Sequence, residues 1–403
     1  MVTNTLARPR RSPTHGCGGA GSRGPPPRRR REPQTSIAHP LTRRANMQKK
    51  APRMANPQKL ERFVSTALQG AGVPLGDADL TASILIDADL RGIDSHGVIN
   101  LYGSYIKKLL SGKIKSKPEI KMALGSPTTA SLDGDNGLGF VVSHRAMNEC
   151  IGMAKKYGTG WATVCNSNHS GAGAFYVLMA ARQDMIGIHW STGGSTVAGP
   201  GGKGRLIGNN VFAMAAPGKT QGPFVLDMAP TMAIANKLHM RQWEGKSMPE
   251  GWAIDSEGRP ITDPNLYFAE EGAILPLGST ASHGVHKGFG LLLVTDILTG
   301  LLSGDGGSML RRKGEESQAF CALRIDAFPT GGEFKDLMDV MIEKIHAAPT
   351  VEGVGRMRYP GERGNLTYKE RSATGIPLRQ KVVEELWKMS AELNLSMDDI
   401  WQK

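Results

Sequence analysis

Apolar positions along the chain change period several times, and each change marks an element. Leu60, Phe63, Val64, Ala67 and Leu68 recur at helical spacing behind Asn56 and Pro57, an N-cap residue followed by proline at the first helical position, and Gly70 closes the run. A second helix is predicted from about Asp77 to Leu90, with Leu80, Ile84, Leu85 and Ala88 inward. A third follows Gly97 and carries Leu101, Tyr105, Leu109 and Leu110. Residues 91–97 then form a tight connection between helices. Further on, residues 119–132 read as strand material and 141–157 as a helix. Short β-rich runs recur at 161–165, 186–190, 211–216 and 224–226, separated in part by helices at 174–182 and 233–243. A strand at 320–325 and helices at 333–345 and 379–393 complete the pattern. The longest apolar run, 289–302, is too short to span a membrane, carries Asp296 in its middle and reads as a buried helix. Alternation of this kind predicts a layered α/β core and leaves strand order open. The 51 glycines favour many tight turns over a helical bundle.

Composition alters this picture at one end only. The chain of 403 residues carries a formal net charge of +12. Residues 1–53 hold 13 Lys and Arg against one acid, Glu32, so the remainder balances at 36 of each sign. The first 53 residues, rich in Arg, Pro and Gly, cannot bury enough apolar surface to offset their ordering entropy and are expected to be disordered. A nucleic-acid tail or a mitochondrial transit peptide would also be basic, but Gly16 to Pro27 would break the amphipathic helix that a transit peptide needs. The segment is read as a dispensable extension, with Met47 or Met54 as the natural start of the domain. The expected division is a basic extension over 1–53, a helical region over 54–135, an α/β core over 136–350, and a C-terminal helical segment over 351–403 that returns to the core. Cys17, Cys150, Cys165 and Cys321 form no C-x-x-C pair, which fits reduced thiols in a cytoplasmic protein and argues against a zinc site.

Several short motifs carry candidate chemistry. Gly199-Pro-Gly-Gly-Lys-Gly204 satisfies G-x-G-x-x-G, but no helix is predicted on its last glycine, so a Rossmann fingerprint is rejected and a plain loop fits as well as a site loop. In Asp94-Ser95-His96-Gly97 a turn presents a histidine, with Asp94 or Ser95 able to fix its tautomer; a surface or capping histidine is the bland alternative. Asn166-Ser-Asn-His169-Ser-Gly171-Ala-Gly173 leaves a strand and enters a helix. It suits an anionic ligand, or a cap built from Ser167 or Ser170 with His169 a bystander. Asp227 leaves a strand ahead of a helix carrying Lys237; it could bond a ribose hydroxyl, and capping is the better reading. His283 and His286 have no acidic or cysteine partner nearby, so no metal is expected.

Taken in order, RGIDSHGVINL from Arg91, NSNHSGAGAF from Asn166, GNNVFAMAAPG from Gly208, VLDMAPT from Val225, LPLGS from Leu275, HKGFGLLL from His286 and YPGER from Tyr359 resemble the malate/L-lactate dehydrogenase family of the second type. That family includes L-sulfolactate, ureidoglycolate and diketogulonate oxidoreductases and an imine-reducing branch. The resemblance spans about residues 56–395. It implies a three-layer α/β fold that is not Rossmann, with a helical N-terminal region, usually in a homodimer. It also implies hydride transfer between NAD or NADP, with a lean to NAD, and C2 of a small 2-hydroxy or 2-oxo acid.

By the same resemblance His96 falls on the family's proton donor/acceptor, acting as imidazolium in reduction, and Ser95 on its hydrogen-bonding neighbour. His169 falls on a second acid/base position, and Lys237 on a polar member of the proton-transfer network. Asp227, Met228 and Ala229, then Leu277 and Gly278, then Gly361, Glu362 and Arg363 fall on cofactor-contacting segments. Asn100 stands where many members carry an arginine for the substrate carboxylate, and Pro230 and Ser279 stand where threonine and glycine are expected. Rival readings are reduction of a cyclic imine, nucleic-acid binding through the basic tail, which the neutral domain disfavours, and a catalytically inactive member.

Overall fold

Asn56 caps the first helix as its position predicts: its Oδ1 accepts from Lys59 N at 3.0 Å. The structure, a computed structural model, describes residues 52–402. The basic extension expected over 1–53 therefore lies almost wholly outside the described residues.

Twelve α-helices are described: α1 (Pro57–Gly70), α2 (Leu75–Leu90), α3 (Lys107–Leu110), α4 (Gly139–Tyr157), α5 (Gly173–Ala181), α6 (Ala235–Trp243), α7 (Pro264–Ala269), α8 (Val285–Asp296), α9 (Gly307–Leu310), α10 (Phe334–Ala347), α11 (Glu362–Thr374) and α12 (Gln380–Glu392). The strands are β1 (Arg53–Ala55), β2 (Lys121–Ser126), β3 (Thr129–Asp133), β4 (Thr159–Ser167), β5 (Met185–Ser191), β6 (Val211–Ala216), β7 (Phe224–Met228), β8 (Ala253–Ile254), β9 (Pro260–Ile261), β10 (Ala273–Ile274), β11 (Glu316–Arg324) and β12 (Ile376–Leu378). A short strand, β1, precedes the first predicted helix and pairs antiparallel with β12 near the other end of the described residues.

Seven strands form the central sheet in the order β2-β3-β4-β11-β5-β6-β7. Only β3 and β4 run parallel; every other neighbouring pair is antiparallel. One face is covered by α4 and α5, whose Phe140, Met147, Tyr176 and Val177 pack with Leu132, Ala162, Val164, Ala213 and Phe320 of the sheet. The same apolar cluster continues through α1, α2 and α12, so the C-terminal helix packs into the N-terminal helical region. A second, smaller core lies around Val197, Ile207, Leu238, Tyr267, Ile274 and Leu292, beside the three-stranded sheet β10-β8-β9.

The run 289–302 is not a buried helix. It forms most of α8 and a π-helical turn, Ile297–Leu301, and turns only one face inward. Leu292, Asp296 and Thr299 are buried, while Leu291, Val294, Ile297 and Leu301 are about half exposed. The inward face meets α9 and the segment before β6: Asp296 accepts from Ser308 Oγ at 2.5 Å and from Asn210 Nδ2 at 3.0 Å.

Candidate functional site

β4 and β5 end, and β11 begins, at one edge of the sheet, because β11 runs antiparallel to both neighbours. The segment after β4 carries His169 across this edge into α5. Gly139, at the start of α4, lies directly beneath it: a Cβ there would sit 1.9 Å from the Asn168 carbonyl oxygen and 2.7 Å from that of His169. Only glycine allows this approach.

The turn after α2 brings His96 to the same place, so that the His96 and His169 rings stack at 5.6 Å with their planes 22° apart. Each ring has its Nδ1 beside a hydroxyl, Ser95 Oγ at 2.9 Å from His96 and Tyr105 Oη at 2.5 Å from His169. Of the two tautomer-fixing candidates, Ser95 holds His96 and Asp94 does not. Asp94 instead takes Arg371 at 2.6 Å and Arg379 at 3.1 Å, which ties the turn to α11 and to the start of α12.

Two further residues shape this turn. Asn100, at the position of the expected arginine, faces inward: its Nδ2 donates to Ser95 O at 3.0 Å, and its Oδ1 accepts from Asn236 Nδ2 at 3.0 Å. Asn236 also donates to Ser95 O at 2.6 Å, which docks α6 on the turn and brings Lys237, the next residue, into the electrostatic surroundings of His96. Beneath Gly97 lies Asp89, fully buried, whose carboxylate accepts from Val98 N at 2.9 Å. A Cβ on Gly97 would lie 1.9 Å from that carboxyl.

Burial dominates the protonation of this region. It holds His96 down to about 3, helped by the positive surroundings of His169 and Lys237, and His169 down to about 4, helped by Lys108. The imidazolium form of His96 expected from the resemblance is therefore disfavoured at neutral pH: desolvation penalises the charged ring. Burial also pushes Asp227 up to about 6, Glu316 to about 7 and Asp89 to about 8.

Asp89 makes a stability prediction. Its carboxyl stays protonated in the fold well above its ordinary value of 3.8, so the folded protein holds a proton that the unfolded chain has lost. Stability from this group falls as pH rises toward 8. Asp89→Asn should gain on the wild type as pH rises, read as melting temperatures that draw apart between about pH 4 and 8 and keep a constant gap above that range; a gap that does not grow across it would contradict the assignment.

The segments singled out for the cofactor converge on β7. Leu277 N donates to Pro230 O at 3.0 Å, so 227–229 and 277–278 lie side by side. Val225 N donates to Pro360 O at 2.9 Å, and Gly361, with φ 96°, sits so close that a Cβ would meet Val225 N at 2.8 Å. Met228 and Ala229 are half-buried, and Leu277 and Arg363 are exposed. Two of the singled-out residues also make contacts within the protein. Asp227 is a cap, of α5 and not of the helix it precedes: one oxygen accepts from Ala174 N at 2.9 Å. Ser167 and Ser170 do not cap that helix. Glu362 points inward to Arg356 and to His346, the latter at 3.0 Å. Met228, Ala229, Leu277, Gly278, Gly361 and Arg363 remain half-buried or exposed along this wall. No helix opens on Gly204; the 199–204 loop folds back so that Val197 pairs with Ile207.

Sequence reasoning missed Tyr105, Asn236 and Asp89 as parts of this site. Tyr105 reads as one more apolar position of a helix face, and nothing local reveals a partner 64 residues away.

The mixed α/β domain thus carries a histidine pair where β4 ends and a wall along β7. The chain belongs to the malate/L-lactate dehydrogenase family, whose model matches residues 55–387. It is 40% identical over 334 residues to malate dehydrogenase from Pyrococcus horikoshii, covering 81% of this chain and 92% of that protein. To L-sulfolactate dehydrogenase from Methanocaldococcus jannaschii it is 34% identical over 349 residues, 85% and 98% of the two chains. Its fold is similar to the crystal structure of malate dehydrogenase from Entamoeba histolytica, with a TM-score of 0.82 at 27% identity over 86% of this chain and 99% of that one.

Proposed function

We propose that the protein moves a hydride between NAD or NADP and C2 of a small 2-hydroxy or 2-oxo acid of the malate, lactate or sulfolactate kind, with His96 exchanging the proton. The observation that carries this reading is the stacked histidine pair, each ring with a hydroxyl at its Nδ1 and no partner at Nε2 among the described residues, in surroundings whose burial favours the neutral rings. Relatives named for NAD(+) and for NADP(+) support a nicotinamide cofactor and leave the choice between them to experiment.

When bound, the nicotinamide supplies the hydride acceptor or donor. Met228, Ala229, Leu277, Gly278, Gly361 and Arg363 would hold the dinucleotide. In the oxidising direction neutral His96 takes the hydroxyl proton on Nε2 while its Nδ1–H donates to Ser95 Oγ. A proton held at about 3 in the free protein is a poor store for the reverse direction. The substrate's carboxylate, arriving beside the ring, favours the charged form and raises that value. Lys237 is the group placed to attract that carboxylate, since Asn100 is committed to the turn.

Other parts of the reading have their own support. Five antiparallel pairs among six favour a three-layer scaffold other than the doubly wound parallel sheet. The apolar row Leu291, Val294, Ile297 and Leu301 favours a homodimer that covers it. The free thiols Cys150, Cys165 and Cys321 favour a cytoplasmic setting.

The test is oxidation of NADH and NADPH against a panel of 2-oxo acids that includes oxaloacetate, pyruvate and 3-sulfopyruvate, with a cyclic imine carboxylate as a further arm. Turnover with a 2-oxo acid is expected. Turnover with the imine alone would replace the substrate class, and failure of both reduced cofactors to raise the melting temperature at millimolar concentration would sink the reading.

A further inference from the structure

We propose that Tyr105 is a positioning residue that holds His169 in the tautomer with its proton on Nε2, so that His169 presents a hydrogen-bond donor to the C2 oxygen of the substrate. The proposal rests on the reading above that the histidine pair meets the substrate.

Tyr105 is 1% exposed, and His169 Nδ1, at 2.5 Å, is the hydrogen-bond partner of its Oη among the described residues. The buried O–H has no other acceptor among the described residues, so the neutral phenol satisfies its donor by giving it to Nδ1. Burial pushes the Tyr105 hydroxyl well above its ordinary value of 10.0, so the phenol keeps its proton. An Nδ1 that accepts carries no hydrogen, and a neutral imidazole then has its single N–H on Nε2.

The packing fixes the ring as well as the proton. Tyr105, His169 and His96 form a column, with centroids 5.9 and 5.6 Å apart and planes tilted by only 21° and 22°. Phe140 meets Tyr105 edge-on at 5.0 Å, and a Cβ on Gly171, just beyond His169, would lie 2.7 Å from the Phe140 ring. Tyr105 itself sits in a π-helical turn, Leu101–Ile106, a local widening that recurs at functional sites. The Tyr105 hydroxyl at Nδ1 and the neighbouring His96 ring thus favour one orientation of the His169 ring.

The two histidines then have different tasks on one oxygen. His96 exchanges the proton, and His169 stabilises negative charge on the oxygen by a hydrogen bond without losing its own proton. This is the preorganised donor that a developing alkoxide needs. The arrangement also keeps the ledger simple: one proton moves, to or from His96 alone.

The test reads the tautomer directly, by 15N NMR of histidine-labelled protein without substrate, with His169 assigned from the resonance lost in His169→Gln. The wild type should show a protonated Nε2 and an unprotonated Nδ1 at His169. Tyr105→Phe keeps the ring and its packing but removes the hydroxyl, so the Nδ1–H tautomer should appear. The same variant should lose about 5- to 100-fold in kcat, the range for a lost hydrogen bond to a charged group, with KM for the reduced cofactor unchanged. A wild-type proton on Nδ1, or a Tyr105→Phe variant with unaltered tautomer or unaltered kcat, would overturn the proposal. Because the tautomer is read without turnover, a failure of the substrate assignment leaves a distinct signature: the expected tautomer with no 2-oxo acid reduced.

Discussion

Replacing His96 by alanine should lower turnover by roughly 100- to 10,000-fold, the usual range for a lost general acid–base. Cofactor affinity should stay nearly intact, because the residues assigned to the dinucleotide line β7 and Ser95 and His96 belong to the turn after α2. Steady-state turnover and a titration with reduced cofactor measure the two quantities separately. His169→Ala is the companion variant. A larger loss there, with His96→Ala near wild type, would move the proton-exchange role to His169. The pH behaviour follows from burial. Since His96 is held at about 3, the ratio of wild-type to His96→Ala kcat/KM for oxidation should stay constant between about pH 5 and 8. A ratio that falls through the ordinary histidine range would show that the ring is less desolvated than its position implies.

Gly139→Ala should disable the site without touching a polar group. The added methyl would lie 1.9 Å from the Asn168 carbonyl oxygen, and backbone atoms cannot rotate out of the way as a side chain can. Overpacking of this kind costs about 1–3 kcal/mol, so the melting temperature should fall by several degrees. The segment that yields is the one carrying His169, and a misplacement of about 1 Å costs about 100-fold in rate. Gly152→Ala is the control on the same helix: a Cβ there meets nothing within 4 Å, so neither stability nor rate should drop. Equal behaviour of the two variants would contradict the close approach beneath His169.

The alternation of helical and strand periods located α1, α2, α4, α5 and β4 to β7 to within a few residues, because each of these buries a full apolar stripe. α11 left no such trace. Its inward contacts are largely polar, with Arg371 reaching Asp94 and Glu362 meeting His346. The paired strands β8, β9 and β10 are two residues long, too short for any period to show. The run 289–302 misled because apolar content was read as burial, whereas its outer row faces away from the sheet.

At the site, the turn histidines were legible because glycine and small polar residues mark segments where the backbone must come close. Their partners were not. Tyr105, Asn236 and Asp89 reach the two loops from other elements, and only the packing of α2, α4 and α6 brings them together. The same holds for Asp227, whose partner in the capped helix, Ala174, lies 53 residues earlier in the chain.

The central claim is direct hydride transfer to C2 with the proton supplied through His96. The most direct measurement uses reduced cofactor deuterated at nicotinamide C4, with the best 2-oxo acid of the panel, followed by NMR of the hydroxy acid formed. The account predicts deuterium at C2 of the product, with none acquired there from solvent. Product that carries solvent hydrogen at C2, or label lost to water, would contradict it.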